Sequence, residues 1–314
     1  MDIVLLFPGQ GSQKPGMGKD LAAAHPAARA VFEAADRALG APLSQLCFEG
    51  PEAELTATQN AQPALLAHGA AVWAVVRDWL RPRVRAAAGH SLGEFTAHYA
   101  AGTFGLEESL RLVRRRGELM AESGVKMPGA MAAVMGLDEA AVEAACAEAS
   151  AATGGIVVPA NYNTPEQLVI SGDEGAVARA MEIAKAKGAK RAIKLNVSGA
   201  FHSPLMASAG AGLQAALDAA HARTPEFPVF ANVSTGPVTT SADAVRLLRE
   251  QLTSPVKWTE EVRRLTAAVP GALFVELGPG SVLANLVKRI VPGTETAACG
   301  TAADLDALRQ RLAA

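Results

Sequence analysis

The sequence predicts an α/β protein in which a mostly parallel sheet carries an inserted, smaller α+β unit. Three observations predict it. Apolar runs of strand length alternate with alanine-rich helical stretches, the pattern of strands joined by crossover helices. The middle of the chain instead reads strand-helix-strand-strand-helix-strand, the split βαβ order of a ferredoxin-like unit. The pentapeptide Gly89-His90-Ser91-Leu92-Gly93 directly follows one apolar run, which suggests a sharp strand-to-helix turn.

Ile3–Phe7 reads as a buried first strand that breaks at Pro8-Gly9. Ala61–Leu80 is helical, Val84–Ala88 is the strand before the pentapeptide, and a helix follows over Gly93–Ala101. Leu106–Ser123 is a further helix whose apolar stripe is Leu106, Leu110, Val113 and Met120. The inserted unit then runs through a strand at Gly129–Val134, a helix at Asp138–Ser150 and strands at Ile156–Asn161 and Gln167–Ser171. Asn163-Thr164-Pro165 supplies the turn between those two strands, and a helix at Glu174–Lys187 and a strand at Lys190–Leu195 complete the unit. This places a subdomain at 127–197 inside a discontinuous main domain, 1–126 and 198–314. Strands at Val229–Ala231 and Leu273–Leu277 and a helix at Ala244–Leu252 return to the main sheet. The groove between insert and body is the expected substrate site.

Composition narrows the function. Of 314 residues, 50% are apolar and 19% charged, which fits a globular enzyme and excludes disorder. A net charge of −2 gives no general pull toward nucleic acid or a membrane surface. No apolar stretch reaches the ~18 residues of a spanning helix, and Met1–Phe7 has no basic flank, so it reads as a strand and not as a signal peptide. Cys47, Cys146 and Cys299 are odd in number and far apart, so neither a disulfide framework nor a zinc site is expected, and a reducing cytoplasm is the simple inference.

Taken alone, the pentapeptide fits two readings: a nucleophilic serine held out by its flanking glycines, or a loop serine capping the next helix. A nucleophile needs a base, usually histidine. Of six histidines, His25 and His221 sit near probable helix ends, His68 and His98 lie on helices, and His90 is expected to point away from Ser91 across the turn. His202 lies where the chain leaves the insert, flanked by small and polar residues, and is the candidate base; a loop histidine satisfied by backbone is its other reading. An α/β-hydrolase carries its histidine late in the chain. No histidine follows His221, which weakens that plain reading.

Phe7-Pro8-Gly9-Gln10-Gly11-Ser12-Gln13, Gly89-His90-Ser91-Leu92-Gly93-Glu94, Arg116-Gly117, Asn161-Tyr162-Asn163, Phe201-His202-Ser203-Pro204-Leu205-Met206, Pro255-Val256-Lys257-Trp258 and Glu276-Leu277-Gly278-Pro279-Gly280 occur in that order. With these motifs the chain resembles the malonyl-CoA:acyl carrier protein transacylases, the acyltransferases of fatty acid and polyketide synthesis, from end to end. The resemblance implies a hydrolase-like core with a ferredoxin-like insert, and malonyl transfer from coenzyme A to the phosphopantetheine thiol of an acyl carrier protein. It implies ping-pong kinetics through a malonyl-serine, with no tightly bound cofactor and no metal. Ser91 and His202 would form the catalytic dyad, with a backbone carbonyl near Gln251 orienting the imidazole. The Gln10 N–H would be one oxyanion donor; the turn itself implies the Leu92 N–H as the other. Phe201 would accompany malonyl over methylmalonyl choice, and Asn161 would line the same cleft. Arg116 would hold the malonate carboxylate: at ~100° per residue it falls at the edge of the apolar stripe while Arg115 points outward, although an arginine run is ordinarily a solvated face. With an acetyl group that fork would be left unpaired. A monomer is the default state. Lys185, Lys187, Lys190 and Arg191 are candidates for meeting an acidic carrier protein, or simply a solvated helix end. Two other readings stand beside transfer: a thioesterase using the same dyad with water as acceptor, and a non-catalytic carrier-binding module.

Overall fold

The computed structural model describes residues 1–313 and arranges ten strands, among those residues, in two sheets. In chain order they are β1 (Ile3–Phe7), β2 (Val84–Gly89), β3 (Ala130–Met135), β4 (Val157–Thr164), β5 (Gln167–Gly172), β6 (Arg191–Lys194), β7 (Val229–Phe230), β8 (Pro237–Val238), β9 (Leu273–Leu277) and β10 (Thr296–Cys299). The larger sheet runs β10-β9-β1-β2-β7-β8 and is parallel except for the short β7–β8 pair. β1 is central and wholly buried: Ile3, Leu5 and Phe7 enter one core cluster, Val4 and Leu6 another. Side chains alternate across a strand, so a strand covered on both faces must be apolar throughout, and the sequence run is unbroken for that reason. The chain adds β2 on one side of β1 and β9 and β10 on the other. That reversal opens a crevice at the carboxyl ends of the strands, where sheets of this kind place their sites.

The smaller sheet, β4-β5-β3-β6, is antiparallel throughout. Ala130, Ala132 and Val134 face the helices Glu139–Thr153 and Glu174–Ala186, while Met131 and Ala133 join the main core cluster. One face of β3 thus closes the small unit and the other seats it on the larger one. β4 is also stitched to the main body: Tyr162 N–H donates to Val256 O at 2.9 Å and Val256 N–H to Ala160 O at 2.8 Å. The Thr259 hydroxyl adds a third bond, to Tyr162 O at 2.9 Å.

Several element ends differ from the sequence reading. β4 extends to Thr164, which pairs with Gln167, so the turn is Pro165-Glu166 and Asn163 is a strand residue. The helix after the pentapeptide starts at Leu92, and the helix expected to end at Ser123 continues to Lys126. β7 stops at Phe230, and the helix expected over Ala244–Leu252 spans Ser241–Glu250 instead. β10, Thr-Ala-Ala-Cys, has no apolar run to announce it and is held by pairing with β9. Among the described residues no helix is long and apolar enough to cross a membrane.

Candidate active site

Ser91 sits where β2 turns into the helix Leu92–Ala100, with φ 52° and ψ −108°, a conformation L-residues rarely adopt. The turn is this tight because Gly93 lies against β1: a Cβ there would come within 1.9 Å of Phe7 O. The Ser91 side chain makes no cap bond. Its Oγ instead lies 2.8 Å from His202 Nε2 and accepts from Arg116 Nη2 at 3.0 Å. The helix-capping reading therefore fails, because the hydroxyl points into the cleft and away from its helix.

His202 also has left-handed backbone, φ 57°, and is buried. Its Nδ1 faces two carbonyls, Gln251 O at 3.0 Å and Ser254 O at 3.2 Å. Carbonyls only accept, so Nδ1 carries the ring proton and Nε2 is left as the acceptor for the serine O–H. Burial pushes the imidazole down to about 3, with the Arg116 charge adding to the effect and the two carbonyls opposing it. The resting ring is therefore neutral, as a base must be.

Arg116 departs from the expected edge position: it is fully buried, at 1% exposure, while Arg115 stays near the surface beside Glu118 and Glu122. The next residue explains the depth. Gly117 packs against the start of the helix Thr58–Leu80, where a Cβ would lie 2.7 Å from the Gln59 Cα, so the two helices approach closely. Nor is the guanidinium fork unpaired. Nη1 donates to Gln62 Oε1 at 2.7 Å and Nη2 to Gln251 Oε1 at 2.9 Å, and the group lies 5.4 Å from the centre of the Phe95 ring. Only Nε lacks a partner. Burial lowers the guanidinium to about 10, opposed by Glu94, so it stays charged at neutral pH.

The Gln251 side chain does more than its neighbouring carbonyl suggests. Besides accepting from Arg116, it donates to Ser91 O at 3.0 Å and to Glu94 Oε2 at 2.7 Å. Asn232 completes the support: its Oδ1 accepts from Ser91 N–H at 2.8 Å, and its Nδ2 donates to Gly89 O at 2.7 Å and Glu261 Oε2 at 2.9 Å. Burial raises the Glu94 carboxyl to about 7, against the bonds from Asn232 and Gln251 and the Arg116 charge, and raises Glu261 well above the carboxylate range. The sequence reading missed Gln62, Glu94, Asn232 and Glu261. Glu94 had a signal, since it lies one turn after Ser91 on the same helix; Gln62 is one of three amides, with Gln59 and Asn60, at the polar start of its helix, and nothing singled it out; Asn232 and Glu261 had no signal.

A cavity of about 360 Å³ opens over this group and is lined by Gln10, Leu92, Asn161, Phe201 and His90 as well as the dyad and Arg116. All eight residues singled out from the sequence therefore converge, seven of them on the cavity wall and Gln251 behind it. Among the described residues, neither the Gln10 nor the Leu92 backbone N–H has an acceptor in the chain, and the Gln10 side chain is held by the Thr58 hydroxyl at 2.9 Å. His90 does not turn away: its ring borders the cavity, with Nε2 2.8 Å from Asn163 Oδ1. Asn163 can reach it because β4 continues past the expected turn. His98 is buried against the Thr103 hydroxyl, and His221 is exposed. The three cysteine thiols are buried and free, each pushed up to about 12 by burial. Lys185, Lys187, Lys190 and Arg191 are exposed, with Lys187 paired to Glu148 at 3.2 Å. Among the described residues no three His, Cys, Asp or Glu side chains cluster to hold a metal.

Comparison with known proteins follows this geometry. The model of the acyl transferase domain matches residues 4–305. The malonyl CoA-acyl carrier protein transacylase of Bacillus subtilis is 45% identical over 289 residues, covering 92% of this chain and 90% of the relative. That of Escherichia coli K12 is 43% identical over 287 residues, covering 91% and 92%. The crystal structure of an acyl-carrier-protein-S-malonyltransferase from Bartonella henselae superposes with a TM-score of 0.95 at 42% identity and covers both chains fully. A malonyl-transacylase solved in complex with a type II polyketide acyl-carrier protein superposes equally well, with a TM-score of 0.95 at 40% identity over 99% of this chain and 100% of that one. With matches along nearly its whole length, the chain belongs to the acyl transferase domain family.

Proposed function

We propose that this chain is a malonyltransferase that moves a malonyl group from coenzyme A to the phosphopantetheine thiol of an acyl carrier protein, through a malonyl ester on Ser91. The observation that carries the reading is one hydroxyl held 2.8 Å from a neutral imidazole nitrogen and 3.0 Å from a buried guanidinium. The similarity to transacylases of that name supports the substrate pair.

The chemistry follows from the geometry. Ser91 Oγ attacks the thioester carbon as its proton passes to His202 Nε2. The carbonyl oxygen becomes an oxyanion and takes the two unengaged N–H groups, those of Gln10 and Leu92; one such donor typically lowers the barrier by ~3 kcal/mol. The C–S bond breaks, His202 returns the proton to the departing sulfur, and free coenzyme A leaves. The carrier thiol then gives its proton to His202, its sulfur attacks the ester carbon, the C–O bond breaks and Ser91 recovers the proton. The dyad rests on two neutral carbonyls, not a carboxylate, so the imidazolium is stabilised only modestly. That suits exchange between two thioesters of similar energy.

The malonate carboxylate takes the guanidinium, displacing Ser91 from Nη2 while Gln62 and Gln251 keep the fork aligned. Phe201 limits the width beside it and Asn161 lines the wall contributed by the small subdomain. In this reading 1–126 and 198–314 do the chemistry and 127–197 closes the cleft. No tightly bound cofactor takes part. Every group comes from one chain, so one copy suffices, and three separated thiols suit a cytoplasmic setting.

The test is intact mass after mixing with malonyl-CoA alone. The chain should gain one malonyl group and Ser91→Ala none; an adduct that survives the substitution overturns the assignment.

A further inference from the structure

The carboxyl ends of β1, β9 and β10 enclose a second cavity, about 520 Å³, that shares no lining residue with the Ser91 cleft. Its walls are Lys14–Asp20 after β1, Pro279-Gly280 after β9 and Gly300-Thr301 after β10, with His68 of the helix Thr58–Leu80 also lining it. This is the point where the strand order reverses, the usual place for a ligand in an open α/β sheet.

His68 is 1% exposed, and the Gly300 carbonyl approaches its ring without closing a full hydrogen bond, so both ring nitrogens lack a well-formed partner. Leaving a buried polar group unpaired is costly. A ring kept at that cost and bordering a cavity calls for a partner from outside the chain. The chemistry of the walls says which. Lys14 and Lys19 border the cavity from the surface. Among the described residues, Lys14 has no ion pair and Lys19 only a long one, 3.9 Å to Glu49. The one carboxylate on the wall, Asp20, is already used, accepting the Ala302 N–H at 2.8 Å. Among the described residues no Phe, Tyr or Trp ring lines the space, so it offers no broad platform for a nucleobase. Two ammonium groups, a ring N–H and glycine-rich walls fit a small oxyanion.

We propose that this cavity is a second, non-catalytic binding site for a phosphate-class oxyanion, held by the His68 ring and the ammonium groups of Lys14 and Lys19. Without a ligand, burial and Lys14 hold the ring neutral, down to about 4, against Asp20 and the Gly300 carbonyl; a bound anion supplies the missing counter-charge. The Lys14–Lys19 wall continues the loop that carries Gln10 into the other cleft, so an occupant here rests on the reaction centre's own loop.

The test follows the imidazole nuclear magnetic resonance signals of the full chain as inorganic phosphate is added at constant ionic strength. There are six histidines to resolve, and His68 is assigned by its loss in His68→Gln. The His68 signals should shift saturably in the low-millimolar range, about −4 kcal/mol. The surface double variant Lys14→Ala/Lys19→Ala should weaken binding by roughly tenfold or more. Calorimetry on that variant decides independently should His68→Gln fail to fold. A phosphate monoester that binds more tightly than the free ion marks an esterified metabolite as the natural occupant, and the reverse rank marks the ion itself; both ranks support the site. A His68 signal that never moves, equal affinity in the double variant, or a response confined to His90 and His202 overturns the proposal.

Discussion

Replacing Arg116 with alanine separates substrate recognition from chemistry. The guanidinium touches four things: Gln62, Gln251, the Ser91 hydroxyl and, in the proposed complex, the malonate carboxylate. The Gln62 and Gln251 losses fall on every substrate, and the Ser91 contact belongs to the resting chain, since the carboxylate displaces it. Each is a hydrogen bond to a charged group, worth about 1.5–3 kcal/mol at most, and the freed Gln251 also supplies the carbonyl that orients His202. The fourth falls on malonyl-CoA alone, because acetyl-CoA has no carboxylate. Stranding one partner of a desolvated charge pair costs about 2–5 kcal/mol. At 1.4 kcal/mol per decade, that is roughly thirtyfold to several-thousandfold. The assay is kcat/KM for both thioesters with the wild-type chain and Arg116→Ala, and the quantity to read is the ratio of the two ratios. The common losses cancel in it, so malonyl transfer should fall by at least roughly thirtyfold more than acetyl transfer. Equal falls would show that Arg116 acts only through Ser91 and Gln251, and the carboxylate assignment would be wrong.

His202→Ala should slow acylation and deacylation alike, by roughly 10²–10⁴-fold; rapid-quench measurement of each half-reaction checks it, and an unaffected half-reaction would point to another base. Glu94 predicts an unusual pH dependence of stability. Its folded-state pKa of about 7 lies above the ordinary glutamate value of 4.5, so the folded chain holds this proton more tightly than the unfolded one. The contribution is fully present below the unfolded pKa and is lost as pH rises toward and through about 7, amounting to about 3 kcal/mol. Urea unfolding at pH 5 and pH 8 should show Glu94→Gln with a flatter slope than wild type; identical slopes would mean Glu94 ionises normally. Gly93→Ala puts a methyl 1.9 Å from Phe7 O, and should lower stability by about 3 kcal/mol or more, read as a shift in the thermal midpoint. A near-neutral result would show that the turn tolerates a wider angle than its glycines suggest.

What the sequence conveyed depended on how local each signal was. β1 was legible because a strand buried on both faces must be apolar at every position, and the pentapeptide because a nucleophile turn needs glycine where two backbones touch. The pairing of Ser91 with His202, 111 residues apart, was not a local signal at all; elimination among six histidines and the order of the motifs supplied it. Arg116 was placed on the correct helix but at the wrong depth. Helical angles locate a face, whereas burial was decided by how closely Gly117 lets two helices approach. β10 escaped because alanine carries little strand preference of its own. Asn232 and Glu261 were invisible for a related reason: their roles are defined by partners from distant segments, and an isolated amide or acid in sequence carries no trace of who will meet it.

The short stretch from Gln251 to Thr259 performs two jobs at once. Its first half offers the carbonyls that fix the proton on the His202 ring, and its second half is sewn to the edge of the smaller sheet. The mouth of the cleft and the tautomer of the base are therefore mechanically geared. Prising the small sheet away would tug on the same strap that keeps Nε2 bare, so widening the cleft would come at the expense of the base's alignment.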